Sequence, residues 1–140
     1  MATAMAQART MITAALRVGI ELDPELRGYP LRFEDYAKVL EPFDAGGVTV
    51  MVAVHTTTRE PQLGPAARGY EATVYVITEQ VDPGAGDDTL EQALEDTLDA
   101  LDAAQLVTWE RAERTVFGRD LWPCYEITAT AHAQIERTAP

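Results

Sequence analysis

The segment Val48-Thr49-Val50-Met51-Val52-Ala53-Val54-His55 decides the fold. A strand turns successive side chains to opposite faces. Val48, Val50, Val52 and Val54 therefore share one face, and Thr49, Met51, Ala53 and His55 share the other. Branched side chains suit a pleated, half-buried surface and lose rotamer freedom in a helix. The apolar face must be covered, so a second layer has to pack on it.

Downstream, Thr58 to Gly69 is rich in turn formers, with Pro61, Gly64 and Pro65. A second strand is expected from Tyr70 to about Val81, with Ala72, Val74 and Val76 opposite Thr73, Tyr75 and Ile77. Neighbouring strands joined this way pair antiparallel. The connection exceeds the ~2–5 residues usual for a hairpin, which makes Thr58–Gly69 a candidate contact arm. Arg59, Gln62, Leu63 and Arg68 are its candidate interface residues.

Asp82-Pro83-Gly84-Ala85-Gly86 reads as a turn, with Asp87 or Asp88 capping a helix that runs to Ala104. Leu90, Leu94, Thr97, Leu98 and Leu101 fall on one side of it, and Glu91, Glu95, Asp96, Asp99 and Asp102 on the other. Two strands complete the chain, Leu106–Phe117 and Tyr125–Ile135, separated by Gly118-Arg119-Asp120. Upstream, Met5 to Leu22 has helical spacing, with Ala8, Met11, Ile12, Ala15, Gly19 and Leu22 on one face. Asp23-Pro24 ends it, because proline disfavours helical geometry in the residue before it. Leu31 to Phe43 admits two readings, a short helix with Phe33, Tyr36, Val39 and Leu40 on its apolar side, or an edge strand through Lys38-Val39-Leu40. The expectation is one α+β domain over residues 1–140. It has a mixed, mostly antiparallel sheet of about four strands with two main helices on one face, in the order α-β-β-α-β-β.

Net charge is −12, and its distribution is uneven. Ten arginines and one lysine, Lys38, are the only basic residues, and none lies between Arg68 and Arg111. That interval holds eleven acids: Glu71, Glu79, Asp82, Asp87, Asp88, Glu91, Glu95, Asp96, Asp99, Asp102 and Glu110. Such a surface repels a phosphate backbone and argues against tight nucleic-acid binding. It is either a solvated helix face that keeps the chain soluble or a wall that DNA passes without sticking. The single cysteine, Cys124, allows no intrachain disulfide and points to a reducing compartment. No run approaches the ~20 apolar residues needed to span a bilayer, and Thr13 and Arg17 interrupt the segment a signal peptide would need.

The chemistry of sites is sparse. His55, His132 and Cys124 are the only candidate soft ligands, and they are scattered, so no metal or cofactor is expected. Cys124 has no basic activator near it in sequence. Gly84-Ala85-Gly86 lacks the third glycine and lysine of a phosphate loop, and Asp87-Asp88 would repel phosphate. The same aspartates lack the alternating oxygen ligands of a calcium loop. The carboxylates of the second helix sit on its polar side, where nothing raises their pKa for acid–base work.

The layout resembles the tail terminator proteins of long-tailed bacteriophages. The likeness lies in the first helix leading through Tyr29-Pro30 to paired strands. It lies also in the strand Tyr70–Val81 running through Asp-Pro into the frame Leu90-Glu91-Gln92-Ala93-Leu94-Glu95-Asp96-Thr97-Leu98-Asp99-Ala100-Leu101, and in the final strands Val107–Phe117 and Tyr125–Ile135. It implies a virion structural protein without an active site. Copies would form a ring, commonly a hexamer, on the tail tube, contacting tube and head–neck connector proteins while DNA passes through. Assembly would take place in the host cytoplasm without a membrane. The alternatives are another neck component, such as a head-closure or tail-completion protein, and a small ligand-binding or enzymatic α+β protein with a pocket under the sheet.

Overall fold

The computed structural model describes residues 3–35, 47–78, 83–118 and 122–134. Helix α1 spans Ala4–Gly19 and is capped by Thr3, whose Oγ1 accepts from the Ala6 amide at 3.1 Å. A single turn, α2 (Pro24–Arg27), follows Asp23, whose carboxylate accepts from the Glu25 amide at 3.0 Å. Gly28 closes that turn in the left-handed region at φ 95°, where a β-carbon would be strained. The strands are β1 (Leu31–Asp35), β2 (Val48–Arg59), β3 (Ala67–Thr78), β4 (Val107–Phe117) and β5 (Trp122–Gln134), and α3 (Pro83–Ala103) joins β3 to β4.

The class is α+β, as expected, with five strands rather than about four. Their order is β1-β2-β3-β5-β4, with β1 parallel to β2 and every other pairing antiparallel. The additional strand is β1. It lies N-terminal to Lys38-Val39-Leu40, which are outside the described residues, and Leu31 and Phe33 alternate inward in the parallel register Leu31↔Val48 and Phe33↔Val50. A five-residue alternation is too short to separate strand from helix by pattern alone.

Both long helices pack on the valine face of the sheet. The core joins Ala8, Ile12, Leu16 and Ile20 to Val48, Val50, Val52, Val74, Val76, Ile127, Leu90 and Leu101. Two helical rows differ from expectation. In α1 the fully buried row is Ala8, Ile12 and Leu16, while Leu22 is 78% exposed because α1 ends at Gly19 and the chain turns away. In α3 the fully buried row is Leu90, Ala93, Thr97, Ala100 and Leu101, with Leu94 and Leu98 half-buried at its flank. Small residues at Ala93 and Ala100 let α3 lie close to the sheet and to α1. Helix α3 also starts earlier than the turn residues suggest. Pro83 occupies its first position, where a missing N–H costs nothing, and the helix runs on through Gly84 and Gly86.

The β2–β3 hairpin corrects the long contact arm. Pairing continues through Thr58↔Gly69 to Arg59↔Arg68, so only residues 60–66 leave the sheet. The threonines and arginines of that stretch tolerate extended geometry, and alternation persists beyond the turn-forming prolines. The final two strands form as expected, but β5 begins earlier, at Trp122. A bulge between Trp109 and Arg111 turns Ala112 to the core side with Val107 and Trp109, where strict alternation puts it on the other. Ile127, Ala129 and Ala131 point inward, and Ile135 lies outside the described residues.

Candidate functional site

The tip of the β2–β3 hairpin carries all four candidate interface residues. Pro61–Leu63 forms one turn of 3-10 helix, closed by the Leu63 amide donating to the Glu60 carbonyl at 2.9 Å. The Ala67 amide donates to the Gly64 carbonyl at 3.1 Å, and the Glu60 amide to the Ala67 carbonyl at 3.0 Å. Gly64 sits at φ 124°, which favours glycine. Arg59 and Gln62 are exposed, Leu63 is 51% exposed, and Arg68 is half-buried. Arg59 and Arg68 face each other as cross-strand partners, a like-charge pair, and neither has an ion-pair partner among the described residues.

The residue that anchors this tip is Glu60, which no motif in the sequence marks out from its loop neighbours. It is only 9% exposed. Both of its carboxylate oxygens lie 2.8 Å from His132 Nδ1, and His132 Nε2 lies 2.9 Å from Thr108 Oγ1. The carboxylate accepts from Nδ1–H, and Nε2 shares the second bond with the threonine hydroxyl. Gly69 makes the room, since a β-carbon there would meet Glu60 Oε1 at 2.7 Å. Residues distant in sequence on β4, β5 and the hairpin are thereby tied together. The only prior signal was the pairing of an acid before Pro61 with a histidine on a polar strand face.

The order carboxylate–imidazole–hydroxyl is that of an acyl-transfer triad, which also needs donors aimed at an oxyanion and a cleft for the acyl group. Thr108 instead lies on an open sheet surface, in register with Thr130. This surface is the face of the sheet opposite the helices. Thr56 stands across from Glu71, Glu71 from Thr130, and Thr73 from Thr128, and no described helix covers them. His55 belongs to the same face, at the β2 irregularity, with Nε2 3.2 Å from Thr73 Oγ1. Cys124 lies at the far end of β5, eight positions from His132, buried with Met51 and Ile77. Burial first, and the charge of Glu126 second, push its thiol up to about 12, so it stays protonated and unreactive. His55, His132 and Cys124 do not converge, and no group of three or more metal-ligating side chains gathers among the described residues.

The clefts lie on the helix side. One, of about 260 Å³, runs between α1 and β1–β2 and is lined by Arg9, Thr13, Arg17, Phe33 and Glu34. The Arg17 guanidinium covers the Phe33 ring at 4.4 Å, a cation–π contact across the mouth of this cleft. A second groove of about 390 Å³, lined by Met11, Val18, Ala100, Ala103 and Leu106, is apolar. Neither cleft takes in a histidine or Cys124. Along α3, Asp88, Glu91, Glu95, Asp99 and Asp102 are exposed. Asp96 instead accepts from the Tyr29 hydroxyl at 2.7 Å, fastening the segment before β1 to α3; burial, then this bond, raises the Tyr29 phenol above its ordinary range. No described helix is long and apolar enough to cross a membrane. No protein-family model matches the chain, and a search of curated proteins finds no match.

Proposed function

We propose that this protein is a structural assembly subunit that works as a ring, similar to a phage tail terminator, which ends growth of the tail tube and joins it to the head–neck connector. The observation that carries this reading is a pair of opposite charges left unpaired among the described residues. The hairpin tip presents Arg59 and Arg68 without carboxylate partners among the described residues. The outer side of α3 presents Glu91, Glu95 and Asp99 with no base on the helix. A head-to-tail contact brings the tip of one copy to the acids of the next and closes a ring when the rotation closes. The remaining acids repel DNA in transit, so it passes without adhering. Exposed ion pairs contribute only about 0.2–1 kcal/mol each, so exposed Leu63 and the apolar groove at Val18 and Leu106 supply the rest of such a contact.

The test is to add the purified chain to growing tail tubes and follow tube length and end caps by electron microscopy. Growth arrest with a ring at the tube end is expected, and Arg59→Glu with Arg68→Glu should abolish capping in a chain that still folds. Tubes that elongate unchanged at saturating protein would overturn the reading. A hydrolytic reading rests on the Glu60–His132–Thr108 relay alone; ester turnover lost in Thr108→Val would favour it.

A further inference from the structure

We propose that the outer edge of β4 pairs with the same edge of a second copy of this chain, antiparallel about Ala112. Strand β4 is the last in the order β1-β2-β3-β5-β4, and among the described residues no strand lies beyond it. An edge strand leaves a row of backbone N–H and C=O groups unpaired, a template for another strand. β4 is long, Val107–Phe117, and its partner β5 covers only one side.

The sequence on this edge selects the partner. Glu110-Arg111-Ala112-Glu113-Arg114 is a charge palindrome under antiparallel alignment. With Ala112 on the twofold axis, Arg111 of each copy falls opposite Glu113 of the other, so two opposite-sign pairs form across the axis, while Glu110 stands at the bulge outside the regular pairing. An axis normal to the sheet also keeps faces matched, since Arg111 and Glu113 both lie on the helix-free face, in register with Thr128 and Glu126. Edges that resist association carry repelling charges of one sign, commonly lysines. Here the strand's charges sum to zero in a chain of net charge −12, so this is a strip where two copies approach without repulsion.

A second observation points the same way. Within the chain, Glu113 stands directly across from Glu126, an acid facing an acid. Arg111 of its own strand lies 3.5 Å from it, with both side chains more than half exposed. A second copy places another Arg111 on the open side of Glu113. The bulge between Trp109 and Arg111 confines regular pairing to the segment around Ala112, which favours one register over endless edge-to-edge extension. This contact does not depend on the ring reading. A twofold contact joins two chains and stops, whereas a ring needs a head-to-tail contact, and the hairpin tip remains free for one.

The experiment is native mass spectrometry and sedimentation of the full chain, of Arg111→Glu, of Glu113→Arg and of their equimolar mixture. Wild type should form dimers, and each single variant should bind itself at least about tenfold more weakly, since like charges then face across the axis. The mixture should recover a mixed dimer, because each acid again faces an arginine. Loss of the intrachain Arg111–Glu113 contact cannot be repaired by mixing, so recovery identifies a contact between chains. A wild type monomeric at about 100 μM, single variants that dimerise normally, or folded variants that fail to pair on mixing would each overturn the proposal. Single variants that dimerise normally and still form rings would remove this edge contact and leave the ring reading standing. Dimers without capping of tail tubes would do the reverse.

Discussion

Gly19 lies so close to Ala100 that a β-carbon on the glycine would sit 2.5 Å from the alanine's own and 2.6 Å from its Cα. This is where α1 leans on α3, and the contact is with backbone as well as side chain, so it cannot be relieved by a rotamer change. Two effects oppose each other in Gly19→Ala. Helix propensity favours alanine by about 0.8–1 kcal/mol. Overpacking against a fixed neighbour costs about 1–3 kcal/mol. Net destabilisation is expected, visible as a lower denaturant midpoint, and Ala100→Gly in the same chain should recover part of it.

Leucines along α3 separate by burial. Leu90 is fully buried and Leu94 only half. Leu90→Ala is expected to cost about 2–5 kcal/mol, and Leu94→Ala clearly less. Equal losses in chemical denaturation would refute the placement of the row. The ordering also shows what the sequence could and could not tell. Its leucine pattern identified the helix and its inward side. The rotation of that side was decided by Ala93, Thr97 and Ala100, small residues whose burial follows from closeness to α1 and not from hydrophobicity. Strand β2 was legible because four valines alternate without interruption. Strand β1 was not, because five residues carry too little pattern. The anchoring of the hairpin tip was invisible for a different reason: Glu60, Thr108 and His132 are brought together only by the strand order, which no local pattern encodes.

The contact of Glu60 with His132 predicts how the tip responds to mutation. His132→Ala leaves a mostly buried carboxylate without its donor and should cost about 1–3 kcal/mol. Amide exchange at Glu60, whose N–H is held by the Ala67 carbonyl, should quicken more than exchange in α1. Uniform quickening across the chain would mean that the histidine supports the whole fold and not the tip.

Tyr70 is almost wholly buried, and its hydroxyl has no hydrogen-bond partner among the described residues. Tyr70→Phe removes that hydroxyl and keeps the ring. The change should be neutral or stabilising by up to about 1–2 kcal/mol, in contrast to the losses usual for core substitutions. A marked fall in melting temperature would show that the hydroxyl is satisfied in solution.

Cys124 gives a pH dependence of defined sign. Its thiol moves from 9.0 up to about 12 on folding, chiefly by burial. Its contribution is therefore complete below pH 9 and declines as pH rises toward 12, because the unfolded chain ionises first. Cys124→Ala should make the alkaline limb of a stability–pH curve shallower. The native thiol should resist aromatic disulfide reagents at pH 8 and react once denaturant is added.

The position of β5 between β3 and β4 has a kinetic consequence. The β2–β3 and β4–β5 hairpins each pair residues near in sequence and can form early. The seam between β3 and β5 joins them only after the intervening helix has been traversed, as in Val74↔Ile127. Among the strand pairings, closing that seam carries the largest loop entropy, so it is expected to limit the folding rate. Truncating Val74 or Ile127 should slow folding, while changes at the hairpin tip should chiefly hasten unfolding.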